Sequence, residues 1–294
     1  ACERRIDAII ALGGGSAIGL AKATSHALEQ PAETADTADP LAPPGVPIIA
    51  IPTTYAGSEM TAVYGVTRTE EGTARKVAVR EPRITPRLVI YDPLLTLSMP
   101  PSVTAGTGIN AVAHCVEALY SPARNPLATA AALGGLRMLA RALPTCVVDG
   151  ADVAAHCEAL AGAWLAGTAL AHVTMCLHHG ICHVLGGSAG LAHGDANGVM
   201  LPHVMRFNLE AVAPLLAPAA VALGGAEPDA AEAVRLVAEL TKRLGLPQRL
   251  RDLGVAEERL PELARIAFEN RTVRNNPKPI TSVAQIEELL RTAW

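Results

Sequence analysis

Ile6-Asp7-Ala8-Ile9-Ile10-Ala11-Leu12-Gly13-Gly14-Gly15-Ser16-Ala17 decides the fold class. Its first seven residues read as a buried strand, and the glycines that follow lead into a segment, 17–30, whose Ala and Leu spacing is helical. Strand, loop and helix recur in outline at 46–51 (Val-Pro-Ile-Ile-Ala-Ile) and 87–91 (Arg-Leu-Val-Ile-Tyr), so the first part of the chain is α/β. Residues 31–45, rich in Pro, Ala and Asp, read as a linker. The first strand has almost nothing before it, so a parallel sheet here starts without its usual first units.

Gly13-Gly14-Gly15-Ser16 fits neither the GxGxxG nor the Walker pattern, and by itself it is equally well a turn that binds nothing. A second loop, Pro52-Thr53-Thr54-Tyr55-Ala56-Gly57-Ser58-Glu59, also follows a strand. Backbone amides at a helix start, together with the hydroxyls of a neighbouring strand-end loop, suit a dinucleotide better than either loop alone.

After Met99-Pro100-Pro101 the pattern changes to Ala- and Leu-rich helical segments: 102–120, 126–142, 151–176, 178–187, 198–222, 229–244, 257–269 and 282–293. We expect a domain boundary near residue 98, with 1–98 α/β and 99–294 all-α. The most apolar stretches, such as 159–177, contain Gly, His and Thr and read as buried helices rather than membrane spans. With 24 Lys and Arg against 28 Asp and Glu, the net charge is -4 and no basic stripe stands out, which argues against a nucleic-acid surface. Six cysteines lack paired CxxC spacing, as expected for reduced thiols in a cytoplasmic protein. Small-molecule chemistry is the expectation.

Candidate site residues come from histidine spacing. Asn110 and His114 are four apart, as are His179 and His183, so each pair shares a helix face; His193 lies in the loop expected after the second helix. Three imidazoles and an Asp would suit a divalent transition metal, whereas Asn110 supplies a neutral, weaker oxygen. His26, His156 and His172 read as ordinary satisfied histidines, His178 as able to face either way, and Cys115 and Cys182 as small core hydrophobes.

The chain resembles the iron-containing alcohol dehydrogenase family from about Asp7 to about Leu290, on GGGSAIGLAK (13–22), PTTYAGSEMT (52–61), GINAVAHCVEALYS (108–121), LHHGICHVLGG (177–187) and HGDANGVMLPHVMRFN (193–208). The resemblance implies a dehydroquinate synthase-like fold, an α/β dinucleotide-binding domain followed by an all-α domain. Its metal-dependent members carry Asp at the position of Asn110, with His114, His179 and His193 as the other ligands, while His183 matches a histidine near the nicotinamide. Asn110 and the PTTYAGSE loop resemble the branch that reduces the carbon–carbon double bond of maleylacetate to 3-oxoadipate. Gly180 and the stretch 194–197 are closer to the alcohol dehydrogenase form. The resemblance also implies further strands and helices ahead of the first glycine loop, including the residue that sorts NADH from NADPH.

On this resemblance we expect NADH or NADPH held by Gly14, Gly15, Ser16, Thr53, Thr54, Thr61, Lys76 and Leu95. His183 is the expected proton donor, and His114, His179 and His193, with Asn110, are expected to line the pocket and stabilise an enolate, with Tyr55 closing it. No metal is expected, because hydride adds to a carbon and no alkoxide must be held; a cluster of charged imidazoles would attract the dicarboxylate instead. Arg274 or Lys278 could reach a substrate carboxylate, although a solvated surface role is the commoner fate of such residues. A homodimer is expected. The alternatives are a metal-dependent alcohol dehydrogenase and a non-catalytic nucleotide-binding or dimerising fragment.

Overall fold

The computed structural model describes residues 6–29, 46–70 and 73–294, with the side chains of 66–70 and 73–77 outside the description. The 31–45 linker lies outside the described residues. A parallel sheet of order β1-β2-β5 is formed by β1 (Ile9–Gly13), β2 (Ile48–Pro52) and β5 (Leu88–Val89), with Ile9 opposite Ile48 and Ile49 opposite Leu88. Alternation divides its faces. Ala11, Ile48 and Ala50 are buried under Ile18 and Ala21 of helix α1 (Gly15–Glu29), whereas Ile10 and Leu12 on the other face are 66% and 56% exposed.

Between β2 and β5 lies an antiparallel hairpin, β3 (Val63–Glu70) and β4 (Thr73–Arg80), which the sequence reading missed. Its signal was weak because Thr, Arg, Lys and Glu interrupt the apolar alternation. Two residues, Glu71-Gly72, separate the strands, and that spacing is itself a hairpin cue.

Eight helices among the described residues follow: α2 (Pro101–Tyr120), α3 (Pro126–Val148), α4 (Val153–Ala171), α5 (Leu177–Ser188), α6 (His193–Ala222), α7 (Ala230–Arg243), α8 (Leu260–Glu269) and α9 (Val283–Thr292). Their starts follow local chemistry. Asn125, Asp152 and Asp229 accept hydrogen bonds from the backbone N–H groups of Ala128, Ala155 and Glu232, and Ser282 with Gln285 forms a capping box. Three expected boundaries move by five residues or more, one of them the end of α4, at Ala171 rather than 176. Helix α3 runs six residues past 142, through Pro144, and α6 begins at His193 rather than at 198.

By length and composition alone, α3, α4 and α6 could each cross a membrane, so composition does not support the expectation that no stretch reads as a span. Their packing accounts for the apolarity in another way, since Leu136, Leu139, Ala159, Ala163, Leu201 and Leu216 share one core. Helix α2 runs through the middle of that core. From Thr104 to Tyr120 every residue except Thr107 is buried, so any polar side chain on α2 needs a partner inside the protein.

Candidate active site

Both strand-end loops lie at the carboxyl ends of the parallel strands. The Thr53 N–H donates to the Gly13 carbonyl at 3.1 Å, which sets the loops side by side. Gly15 and Ser16 open α1, where a helix leaves its first backbone N–H groups without intrahelical partners. Thr61 is tied to a residue that the sequence reading overlooked. Lys22, fully buried on α1, donates to the Ser58 carbonyl at 2.6 Å, the Thr61 hydroxyl at 3.1 Å and the Val63 carbonyl at 3.0 Å. Burial lowers the pKa of this ammonium to about 8, against the pull of nearby Glu59. Lys22 follows Ile18 by four residues and precedes Ser25 by three, a spacing that marks it as inward-facing. Leu95 is 37% exposed on the turn Pro93–Thr96 beyond β5. Lys76 lies on β4 opposite Thr67, and its side chain lies outside the described residues.

The second loop continues into the helical half. Gly57 has φ 77°, and a Cβ there would stand 3.7 Å from His114 Nδ1 and 3.3 Å from the Gly167 backbone, so a side chain is disfavoured on both counts. Beside it, Asn110 Nδ2 donates to the Ala56 carbonyl at 3.4 Å. The loop that follows β2 therefore forms one wall of the histidine site.

Four imidazoles converge there. His114 stacks on His179 with ring centroids 4.8 Å apart, His179 lies 6.3 Å from His183 and 6.4 Å from His193, and His183 stacks on His193 at 5.9 Å. His193 is on the first turn of α6, not in a loop. It is brought in by a backbone crossing at which a Cβ on Gly194 would lie 2.4 Å from Gly106 Cα, a position only glycine fits. His114 and His179 are buried, whereas His183 and His193 are exposed. The cleft thus has an open end and a closed inner end.

The inner end leaves polar atoms unpaired. Asn110 Oδ1, His114 Nδ1 and His179 Nε2 are buried without hydrogen-bond partners. One N–H of the Asn110 amide goes to the Ala56 carbonyl, which holds the side chain against the second loop. Burial first, then the neighbouring imidazoles, holds His114 and His179 well below the usual histidine pKa. These two rings are neutral near pH 7, so the expected attraction of a dicarboxylate by charged imidazoles does not come from them. Asn110 Oδ1 and His179 Nε2, with the His114 ring beside them, fit a divalent cation, less strongly than a site that includes a carboxylate.

Glu117 was also overlooked, although it continues the Asn110 and His114 face at i, i+4, i+7. Its fully buried carboxylate accepts from the Cys176 and His178 backbone N–H groups at 3.0 and 2.9 Å and lies 2.8 Å from His179 Nδ1. Burial raises its pKa, and the His178 ring and these backbone donors oppose the rise. His178 is buried and directs Nε2 toward the Asn197 carbonyl at 3.3 Å. Glu117, His178 and His179 form a tight trio, but apart from His179 Nε2 their polar atoms are already engaged with one another and with backbone.

Tyr55 does not close the pocket. It is fully buried in the helical core, and its hydroxyl lies 2.8 Å from His156 Nδ1. Lys278 Nζ donates to the Phe207 carbonyl and sits over the Phe207 ring, which leaves it a packing role, and Arg274 is exposed. A surface groove of about 510 Å³, lined in part by His203, Arg206, Phe207 and Glu288, shares no residue with the cleft.

Comparison with known proteins places the whole of this arrangement in one family. Residues 1–93 match the iron-containing alcohol dehydrogenase family model, and 104–294 match that for the C-terminal part of the Fe-containing alcohol dehydrogenase family. The maleylacetate reductase of Pseudomonas knackmussii is 40% identical over 286 residues, 97% of this chain and 73% of that protein. Among solved structures, the maleylacetate reductase of Agrobacterium tumefaciens superposes with a TM-score of 0.85 at 39% identity, covering 100% of this chain and 75% of that one. The sulfoacetaldehyde reductase of Bifidobacterium kashiwanohense, solved in complex with NAD+, gives 0.86 at 27% identity, covering 99% and 77%.

Proposed function

The chain belongs to the iron-containing alcohol dehydrogenase family, and from that premise we propose that it reduces the carbon–carbon double bond of maleylacetate with NADH or NADPH, giving 3-oxoadipate. The observation that carries this reading is the 40% identity to a maleylacetate reductase over 97% of the chain. Within the geometry it is supported by Asn110, a neutral carboxamide at the inner end of an imidazole-lined cleft.

In this reading Gly14, Gly15, Ser16, Thr53 and Thr54 would hold the dinucleotide, which would supply the hydride. Hydride passes to the carbon beta to the ketone, and negative charge builds on the enolate oxygen. Preorganised N–H groups stabilise such an oxygen most effectively where water is excluded. His114 and His193 are the imidazoles we assign to that task, since His179 presents an acceptor. His183, at the open end, delivers the proton to the alpha carbon. We place the domain boundary near residue 98, between β5 and α2, and infer a cytoplasmic homodimer, as fits a bacterial enzyme of small-molecule metabolism.

A second reading has a specific observation behind it. The unpartnered Asn110 Oδ1 and His179 Nε2, with His114 and His193, are what would hold a divalent ion, and a bound ion supplies Lewis-acid polarisation of a carbonyl oxygen. Metal independence is our inference from Asn110 alone. NADH and NADPH oxidation with maleylacetate, before and after chelator treatment of protein with measured metal content, separates the two. Chelator-resistant turnover is expected; turnover lost to chelator and restored by iron or zinc would make the chain a metal-dependent enzyme.

A further inference from the structure

We propose that Glu117 is a positioning residue that fixes the orientation and tautomer of His179, so that His179 turns a lone pair and not a proton into the cleft. The inference deepens the proposed function, since it assigns a donor or acceptor role at the site that reading relies on.

The argument starts from the helix face. Asn110, His114 and Glu117 fall at i, i+4 and i+7 on α2, so the carboxylate lies one turn beyond the residues that border the cleft. It is fully buried, and both its oxygens already accept from fixed backbone donors: Oε1 from His178 N–H and Oε2 from Cys176 N–H. These two N–H groups belong to the first turn of α5 and the residue ahead of it, where a helix leaves its amides unsatisfied. Two backbone donors stabilise the ionised form, so at the 2.8 Å contact the ring donates and the carboxylate accepts.

With Nδ1–H committed to Glu117, neutral His179 carries its lone pair on Nε2, the atom left buried without a partner. Carboxylate–imidazole pairs of this kind commonly set the tautomer and basicity of a ligating histidine. Two consequences follow. His179 cannot supply a hydrogen bond to an enolate oxygen, and whatever meets its Nε2 brings a proton or a positive charge. Because Glu117 also anchors the start of α5, one side chain ties the ring's orientation to the helix that carries it.

The test reads the tautomer directly, on unmodified protein. Long-range proton–nitrogen NMR of 15N-histidine-labelled chain, with His179 assigned by its loss in His179→Asn, is expected to show Nδ1 protonated and Nε2 bare. An Nε2-protonated His179 would overturn the proposal whether or not the enzyme turns over maleylacetate, so a failure here is distinct from a failure of the functional reading. A mutant cycle supplies the second arm. Glu117→Gln is expected to lower kcat by about 10- to 100-fold while the NADH dissociation constant changes less than about threefold, and to add little in the His179→Asn background. Full additivity of the two kcat losses would show that Glu117 does not act through His179.

Discussion

His179 and His156 are two buried imidazoles in the same hydrogen-bonding state, and only one of them borders the cleft. In each, Nδ1 is engaged and Nε2 is buried without a partner. At His156 the Nδ1 atom meets two hydroxyls, those of Tyr55 and Thr96, each at 2.8 Å. Their surroundings differ. His179 has four imidazoles around it, those of His114, His178, His183 and His193, and a loop that follows a parallel strand close by, whereas His156 sits among Tyr55 and Thr96. An orphaned ring nitrogen is therefore a poor marker of a site; convergence of side chains from several elements on one strand-end loop is a better one. The two regions divide the work accordingly, the cleft governing turnover and the Tyr55–His156 centre holding the back of the second loop.

Paired substitutions separate these roles most sharply. His183→Asn, at the exposed end of the cleft, is expected to lower kcat by about 10²- to 10⁴-fold, the usual contribution of a positioned proton donor, with little change in thermal midpoint. His156→Asn should do the reverse. It strands a buried hydroxyl pair at about 1–3 kcal/mol, lowering the midpoint while turnover per folded molecule stays within about threefold. Steady-state kinetics and calorimetry on both variants check this, and a large kcat loss in His156→Asn with an unchanged midpoint would erase the distinction.

Asn110→Asp probes the inner end alone. The substitution removes the N–H given to Ala56 and adds a negative charge beside His114. Affinity for zinc or cobalt, read by calorimetric titration of chelator-treated protein, should rise by at least about tenfold, and maleylacetate turnover should fall. Unchanged metal affinity would mean that position 110 does not control what the acceptors bind.

How much of this was legible in the sequence differs between the regions for physical reasons. Period-3.6 spacing exposed both histidine pairs, and strand-loop-helix order exposed the parallel sheet. Neither signal carries information about partners across the fold. Tyr55 reads as a loop aromatic near a cleft, yet its hydroxyl finds His156, 101 residues away in sequence. Glu117 and Lys22 were missed because charged residues are ordinarily assigned to solvent, although the spacing of each marked an inward face. The hairpin β3–β4 escaped because its alternation is polar.

Tyr55→Phe tests the scaffold more gently. Loss of one buried hydrogen bond costs about 0.5–1.5 kcal/mol, which for a chain of this size lowers the midpoint by a few degrees at most. The expected kinetic effect is a small rise in KM for NADH with kcat unchanged. A kcat loss above about tenfold would return Tyr55 to the pocket assigned to it from sequence.

The smallest expected effect comes from Lys22, which holds the second loop from the sheet side as Tyr55 holds it from the helical side. Its ammonium gives its three protons to three oxygens, and the neutral amine has only two to give. With a folded pKa of about 8, NADH affinity should weaken by about 2- to 5-fold as pH rises through that value, the worth of one hydrogen bond. Stability should move the other way. Between about 8 and the ordinary value of 10.5 the unfolded lysine still holds a proton that the folded one has lost, so this group's titration favours folding as pH rises. Fluorescence titration of NADH and calorimetry from pH 7 to 10, each taken as the difference between wild type and Lys22→Met, isolate the two trends. Both trends should vanish in the variant; parallel rather than opposed shifts in the wild type would show that the lysine titrates elsewhere and that the loop is held without its charge.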